Sequence, residues 1–295
     1  MKIKIAKALN RIFPLPVKRI VARGMSRLAY YALHKHKLIA LHNLTRSFPE
    51  KNLSELLQII KDSYASFALL FVEFLEILYL NQDNLHRWVS IKGLEHYEDA
   101  CREGKGVLLF TAHCGNWEIG NAALAILSIP PFFMARTLDS PFLEEISTSA
   151  RARLGIGNLH KENAMRMLLP LLREGKPIIL LIDQNVAAKE GVFINFFGRP
   201  ACARTGVALM AMHTGAAVLP IFTTRMPDGT YLTEIGPKVE TVKTGDRDSD
   251  MLVNTQNYNR IIEDHVRKYP GQWLWLHQRW KTKLCQAKKF VKRCA

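Results

Sequence analysis

The spacing of apolar positions along this chain changes character near residue 82. Before that point apolar residues recur at intervals of three and four, which predicts helices over residues 17–33 and, after the Phe48-Pro49 break, 53–80. Beyond it, short apolar runs at 88–91, 107–111, 131–135, 178–182 and 217–223 alternate with amphipathic stretches at 94–102, 117–127, 142–154, 164–173 and 203–213. Strands alternating with helices predict an α/β fold, a mixed β-sheet flanked by helices, because strands apolar throughout need cover on both faces. "RMPDGTYLTEIG" adds a hairpin signal, with Asp228-Gly229 between two β-rich runs. A last helix over about 254–268 ends at Tyr269-Pro270-Gly271. No repeat or linker interrupts this order. The chain reads as a helical N-terminal region (1–82), an α/β domain (83–280) and a basic C-terminal tail (281–295).

"SYASFALLFVEFLEILYL", residues 63–80, is long enough to span a bilayer, but Glu73 and Glu76 lie three apart on one helical face. An acid at the bilayer centre costs about 2.5–3.5 kcal/mol, so two offset much of the apolar gain. A buried or interfacial amphipathic helix is expected instead.

Charge sharpens this picture. Lys and Arg total 41 against 26 Asp and Glu, a formal net charge of +15. From Met1 to Pro49 every charged side chain is basic, and no acid follows Asp264. Two basic ends flanking a mixed middle suit an anionic membrane surface. Nucleic acid is not expected, since no recognised nucleic-acid motif is present. Arg19, Arg23 and Arg27 break the first helix's apolar run, and with His34 and Lys35 they also argue against a signal peptide. Peripheral or weak attachment is the expectation. The five cysteines are odd in number and lack metal-ligand spacing, so reduced thiols and no metal site are expected.

The chemistry concentrates in "LLFTAHCGNWEIGNA", residues 108–122, where an apolar run ends in His113 and Glu118 follows five places on. Asn116 is a helix-capping type at the start of a helical stretch. Residues five apart on one helix diverge by about 140°, so the two side chains meet only if His113 precedes the helix and the turn folds back. Two readings stand at this point. His113 is a general base with Glu118 holding its second nitrogen, suited to deprotonating a hydroxyl that attacks an activated acyl group, or it is a core histidine near a capping acid. Cys114 is read as a small buried residue rather than a nucleophile.

The histidine turn has the H-x-x-x-x-[DE] form of glycerolipid acyltransferases, and "AHCGNWE" resembles the lipid A biosynthesis (lauroyl/myristoyl) acyltransferase family. Three further stretches are similar to elements of that family in the same order: "LHNLTRSFPE" (41–50), "LIDQNVAAKEGVFINFFGRPACARTG" (181–206) and "QWLWLHQRWK" (272–281). The resemblance implies transfer of a fatty acyl chain from acyl carrier protein to a hydroxyl of a lipid A precursor. It implies no cofactor, and a place at the cytoplasmic face of the inner membrane. It makes His113 and Glu118 catalytic and places Asn116, Arg136, Arg151 and Asp183 around the substrates. Trp273, Trp275 and Trp280 are read as packing. In two places the chain departs from the family: no N-terminal span is evident, and Asn185 stands where a second acid is usual. Outside lipid A chemistry, transfer to another lysolipid, ornithine lipid or glycolipid and a non-catalytic lipid or carrier-protein scaffold are the alternatives.

Overall fold

The computed structural model describes residues 13–134, 140–159 and 164–284. Three helices come first: α1 (Leu15–Ala32), α2 (His34–Ser47) and α3 (Leu53–Phe74). The start of α3 is fixed by a reciprocal cap. The Asn52 side chain accepts the Glu55 N–H at 3.1 Å, and the Glu55 carboxylate accepts the Asn52 N–H at 2.9 Å. The helix expected to run on to residue 80 instead tightens into a 3-10 turn, Glu76–Tyr79. Among the described residues no helix is long and apolar enough to cross a membrane. The two acids that argued against a span are engaged by α1: Lys18 pairs with Glu76, and the Arg19 guanidinium donates to Glu73 at 2.9 Å.

The remainder runs β1 (Val89–Lys92), α4 (Leu94–Arg102), β2 (Val107–Thr111), α5 (Trp117–Ile126), β3 (Phe132–Met134), α6 (Pro141–Arg153), β4 (Gly157–Leu159), α7 (Ala164–Arg173), β5 (Ile178–Leu181), β6 (Gly191–Phe196), β7 (Arg199–Arg204), α8 (Gly206–Thr214), β8 (Ala217–Arg225), β9 (Tyr231–Ile235) and α9 (Arg247–Lys268). Seven strands form one sheet in the order β1-β9-β8-β2-β5-β3-β4. The run β8-β2-β5-β3-β4 is parallel, and β9 returns antiparallel on β8 through the Asp228-Gly229 turn. The sheet is therefore mixed and flanked by helices. Every residue of β2 is buried, and its side chains alternate between two cores. Leu108 and Phe110 pack with α8, α9 and the buried tryptophans, whereas Val107 and Leu109 pack with α4 and α5.

Several elements differ from the sequence pattern, β6 among them, which fills residues where no strand was expected. Helix α2 fills residues 34–47, where basic residues dilute the apolar period. The short strand β4 extends the sheet beyond β3. Residues 203 and 204, expected to open a helix, instead close the β6–β7 hairpin. Its two-residue turn is Phe197-Gly198, both at positive φ (53° and 70°), the geometry that matches strand twist. Helix α9 begins at Arg247, because Asp246 accepts the Ser249 N–H at 3.2 Å and extends the helix ahead of its apolar face. The C-terminal tail from residue 285 onward lies outside the described residues.

Candidate active site

Strands β2 and β5 are parallel neighbours, with Thr111 opposite Leu181 at their carboxyl ends. His113 lies two residues beyond β2 and Asp183 two beyond β5, so the topology delivers both to one sheet edge, where ligands of open α/β sheets bind. The turn between β2 and α5 is gripped from two sides. Gly115 donates its N–H to the Gln272 carbonyl at 3.0 Å, Asn116 donates to the Thr223 carbonyl at 3.1 Å, and the His113 carbonyl accepts from Leu274 at 3.1 Å. Gly115 has φ +62°, and a Cβ there would lie 1.9 Å from the Thr223 carbonyl oxygen. Only glycine lets the turn approach β8 this closely.

Asp183 organises the histidine. Its Oδ1 is 2.8 Å from His113 Nδ1, and its Oδ2 accepts the His113 backbone N–H at 3.0 Å and the Trp273 indole N–H at 2.8 Å. A carboxylate only accepts, so Nδ1 carries the proton and Nε2 presents its lone pair. The Gln184 side chain lies 3.3 Å from Nε2, and the Trp117 ring meets the imidazole edge-on with centroids 5.0 Å apart. Burial by itself would raise the Asp183 pKa. The charge of His113 and the hydrogen bonds from His113 and Trp273 outweigh it and hold the carboxyl at about 2. Asp183 is 2% exposed, while the His113 side chain remains 21% exposed. The anion is enclosed and the imidazole is accessible.

The expected pairing of Glu118 with the imidazole is not what the side chains make. Glu118 sits in the first turn of α5 and engages Arg151 of α6, with Nη2 to Oε1 at 2.5 Å and Nε to Oε2 at 3.3 Å. The Trp117 indole N–H also donates to it at 3.2 Å. Asp183 takes the ring nitrogen because β5 delivers it there, whereas Glu118, in the first turn of α5, faces α6. Arg151 is itself buried and packs over the Phe133 ring at 4.9 Å. Asn116 is fully buried and caps α5 by accepting the Ile119 N–H at 3.2 Å, and its amide donates to Glu73 at 3.4 Å. Both ends of that side chain are occupied, so it holds the turn rather than reaching a ligand. Arg136 lies outside the described residues.

Two features beside the site escaped the sequence reading. Trp273 does more than pack: a buried indole N–H needs an acceptor, and Asp183 is that acceptor. Glu73 is a fully buried carboxylate held by Arg225 (2.7 Å), Arg19 (2.9 Å) and the Tyr231 hydroxyl. Burial would raise its pKa, but these partners hold it below the ordinary value. At Cys114, burial first and then the Asp183 charge push the thiol far above its ordinary range, which leaves no thiolate for nucleophilic attack. Among the described residues no group of three or more His, Cys, Asp or Glu could hold a metal ion.

The family model for bacterial lipid A biosynthesis acyltransferases matches residues 4–282. The chain belongs to that family. It is an acyltransferase. The lipid A biosynthesis palmitoleoyltransferase of Escherichia coli (strain K12) is 25% identical over 272 residues, covering 92% of this chain and 87% of that one. The lauroyltransferase of the same organism is 24% identical over 271 residues, with 92% and 87% covered. A phosphatidylinositol mannoside acyltransferase of Mycolicibacterium smegmatis is 25% identical over 226 residues, covering 75% and 72%. Among solved structures, the 1-acyl-sn-glycerophosphate acyltransferase PlsC of Thermotoga maritima is similar at TM-score 0.40 and 12% identity, covering 88% of this chain and 99% of that one.

Proposed function

We propose that this acyltransferase moves a fatty acyl chain from the thioester of acyl carrier protein to a hydroxyl of a lipid A precursor, with His113 as general base. One observation carries the assignment of the base: Asp183 occupies Nδ1 at 2.8 Å, which leaves Nε2, touched by the Gln184 amide at 3.3 Å, as the nitrogen that takes a proton on the accessible side of the ring. In this reading Nε2 removes the acceptor hydroxyl proton as the oxygen attacks the thioester carbonyl. The imidazolium then returns that proton to the departing thiolate, so no acyl-enzyme forms and no cofactor enters. Asp183 stabilises the transient cation. Glu118 and Arg151 act as positioning residues that brace α5 on α6 beneath Trp117 and the imidazole.

Membrane attachment would come from α1. Val17, Ile20, Val21, Met25, Leu28 and Tyr31 repeat at three- and four-residue spacing, yet they are exposed, Ile20 by 67% and Leu28 by 72%. Arg23 and Arg27 are exposed on the same helix. An exposed apolar stripe beside arginines suits shallow insertion into an anionic leaflet, here the cytoplasmic face of the inner membrane. The similarity to phosphatidylinositol mannoside acyltransferases supports a second acceptor class, another phosphorylated glycolipid.

The deciding experiment combines purified protein with acyl carrier protein thioester and lipid A precursor and weighs the extracted lipid. One added acyl chain, abolished by His113→Ala in a folded protein, is the expected result. Transfer that persists within a few-fold in that variant would remove His113 from the chemistry.

A further inference from the structure

The strongest unassigned feature is a hollow of about 640 Å³ between α2 and the C-terminal segment. Leu38, Ile39 and Trp280 give it an apolar floor, and Lys35, His42 and Lys281 stand around it. Two arginines add to this charge. The Arg199 guanidinium lies 4.2 Å from the Trp280 ring centroid, and Arg46 lies against the His42 ring. The charges are close enough to act on one another. Burial and then Arg46 lower the Arg199 pKa, while burial followed by Arg46, Arg199 and Lys283 lowers that of His42.

Surface cations in general need no ligand, since water solvates them. Arg199 differs. It is only partly exposed and lies over the Trp280 ring, with Nη1 enclosed by protein, so the remainder of its guanidinium is what a ligand can meet. Among the described residues none of the ion pairs ends on Lys35, Arg46, Arg199 or Lys281. Four cations stand in or beside an apolar hollow whose lining includes no carboxylate, a setting that favours an anion from outside the chain. Paired guanidinium forks suit a phosphate, and the floor suits an alkyl or similar apolar arm.

We propose that this hollow binds a phosphate ester carried on an apolar chain. It adjoins the histidine site through one segment. Trp273 donates to Asp183, Asn43 of α2 donates to the carbonyls of Trp275 and His277 at 3.0 and 2.9 Å, and the His277 ring accepts the Asn185 N–H at 3.0 Å. Trp280 and Lys281 follow on that segment and line the hollow. A phosphate held here lies next to the segment that positions Asp183. Two sources share this chemistry within the acyl-transfer reading: a phosphate of the glycolipid acceptor, and the phosphodiester of the donor's pantetheine arm.

The test is calorimetric titration of the full chain, at low salt, with three probes: dihexanoyl phosphatidic acid, pantetheine 4′-phosphate and neutral dihexanoylglycerol. Saturable one-site binding of a phosphate probe is expected, with no binding of the neutral one. Arg46→Gln should weaken it about tenfold and Lys35→Gln several-fold. Both side chains are exposed, so neither variant threatens folding, whereas Arg199→Gln serves as a third arm checked by circular dichroism. Binding of phosphatidic acid alone assigns the hollow to a lipid phosphate, and binding of pantetheine phosphate alone assigns it to the donor arm. No saturable binding of either phosphate, equal binding of the neutral probe, or parental affinity in both exposed variants overturns the proposal. The titration reads no turnover, so a failure of the His113 chemistry leaves it standing.

Discussion

Asp183→Asn separates a histidine oriented by β5 from one oriented by its own turn. The substitution keeps size and shape but removes the charge that faces Nδ1 at 2.8 Å. In the proposed mechanism the imidazolium formed during transfer would then lack its counter-ion. Opposite charges about 4 Å apart interact by about 4 kcal/mol at an effective dielectric of 20, which corresponds to roughly a thousandfold in rate. An amide group can also donate to Nδ1, which would invert the tautomer and move the proton onto Nε2, where the base is needed. Stability falls as well. A carboxyl at about 2 in the folded protein against an ordinary 3.8 contributes on the order of 2 kcal/mol at neutral pH, present above 3.8 and lost as pH drops through 2. Melting curves therefore accompany the kinetics. The assay is initial-rate transfer from radiolabelled acyl carrier thioester at saturating acceptor, with a fall in kcat of about 10²–10³ and a nearly unchanged KM expected. A folded Asp183→Asn protein that turns over within a few-fold of the parent would refute the orienting role.

Glu118→Gln and Arg151→Gln should lower turnover by similar factors, with the double variant no worse than the more damaged single, because each side chain is the other's buried partner; multiplying losses would mean independent roles. Cys114→Ser should keep most activity, and mass spectrometry of protein mixed with donor alone should find no acylated cysteine, because the buried thiol is held protonated. His265 and His277 are both lowered, chiefly by burial, to about 4 from 6.5. The unfolded chain therefore binds more protons between those values, and stability falls as pH drops from about 6.5 towards 4, by up to roughly 3 kcal/mol per group; His265→Phe should flatten part of that slope in urea melts. Glu73→Gln should cost about 3 kcal/mol by removing the buried anion that two partly buried arginines meet, read as a lower urea midpoint; a midpoint within error of the parent would show the cluster to be dispensable.

The strand–helix alternation was legible because strands buried on both faces leave unbroken apolar runs, and β2 has all five residues buried. Elements with mixed composition were harder to see. Helix α2 carries Lys35, Lys37 and Arg46, and β7 opens with Arg199-Pro200 and closes with Arg204, so neither shows a clean period. His113 was legible from its position after an apolar run. Its true partner was harder to choose, because Glu118 is near in sequence whereas Asp183 is near only once β5 pairs with β2. A pairing rule would have exposed it: acids just beyond the ends of parallel neighbours share an edge. Glu73 shows the complementary limit. An acid in an apolar helix tells against a span, but where its charge is satisfied depends on Arg225 and Tyr231, more than 150 positions on.

That carboxylate also ties the N-terminal helices to the chemistry. Glu73 lies near the end of α3 and receives Arg19 from α1. It also receives Arg225 from the end of β8, Tyr231 from the start of β9, and the Asn116 amide from the histidine turn. Asn116 caps α5 and hangs its own N–H on Thr223 of β8. Four charged or polar groups from four segments thus converge on one anion that water does not reach. A buried charge is tolerated only when its partners are held in place, so any rotation of α1 against the sheet would have to break charge-assisted bonds. The helix that carries the exposed apolar stripe is therefore rigidly registered to the turn that carries His113. If α1 rests in a leaflet, the height of the imidazole above that leaflet is set by the fold rather than by a flexible tether. In the proposed reaction a soluble donor and a bilayer-held acceptor would both have to reach Nε2, and a fixed height would let one base serve both.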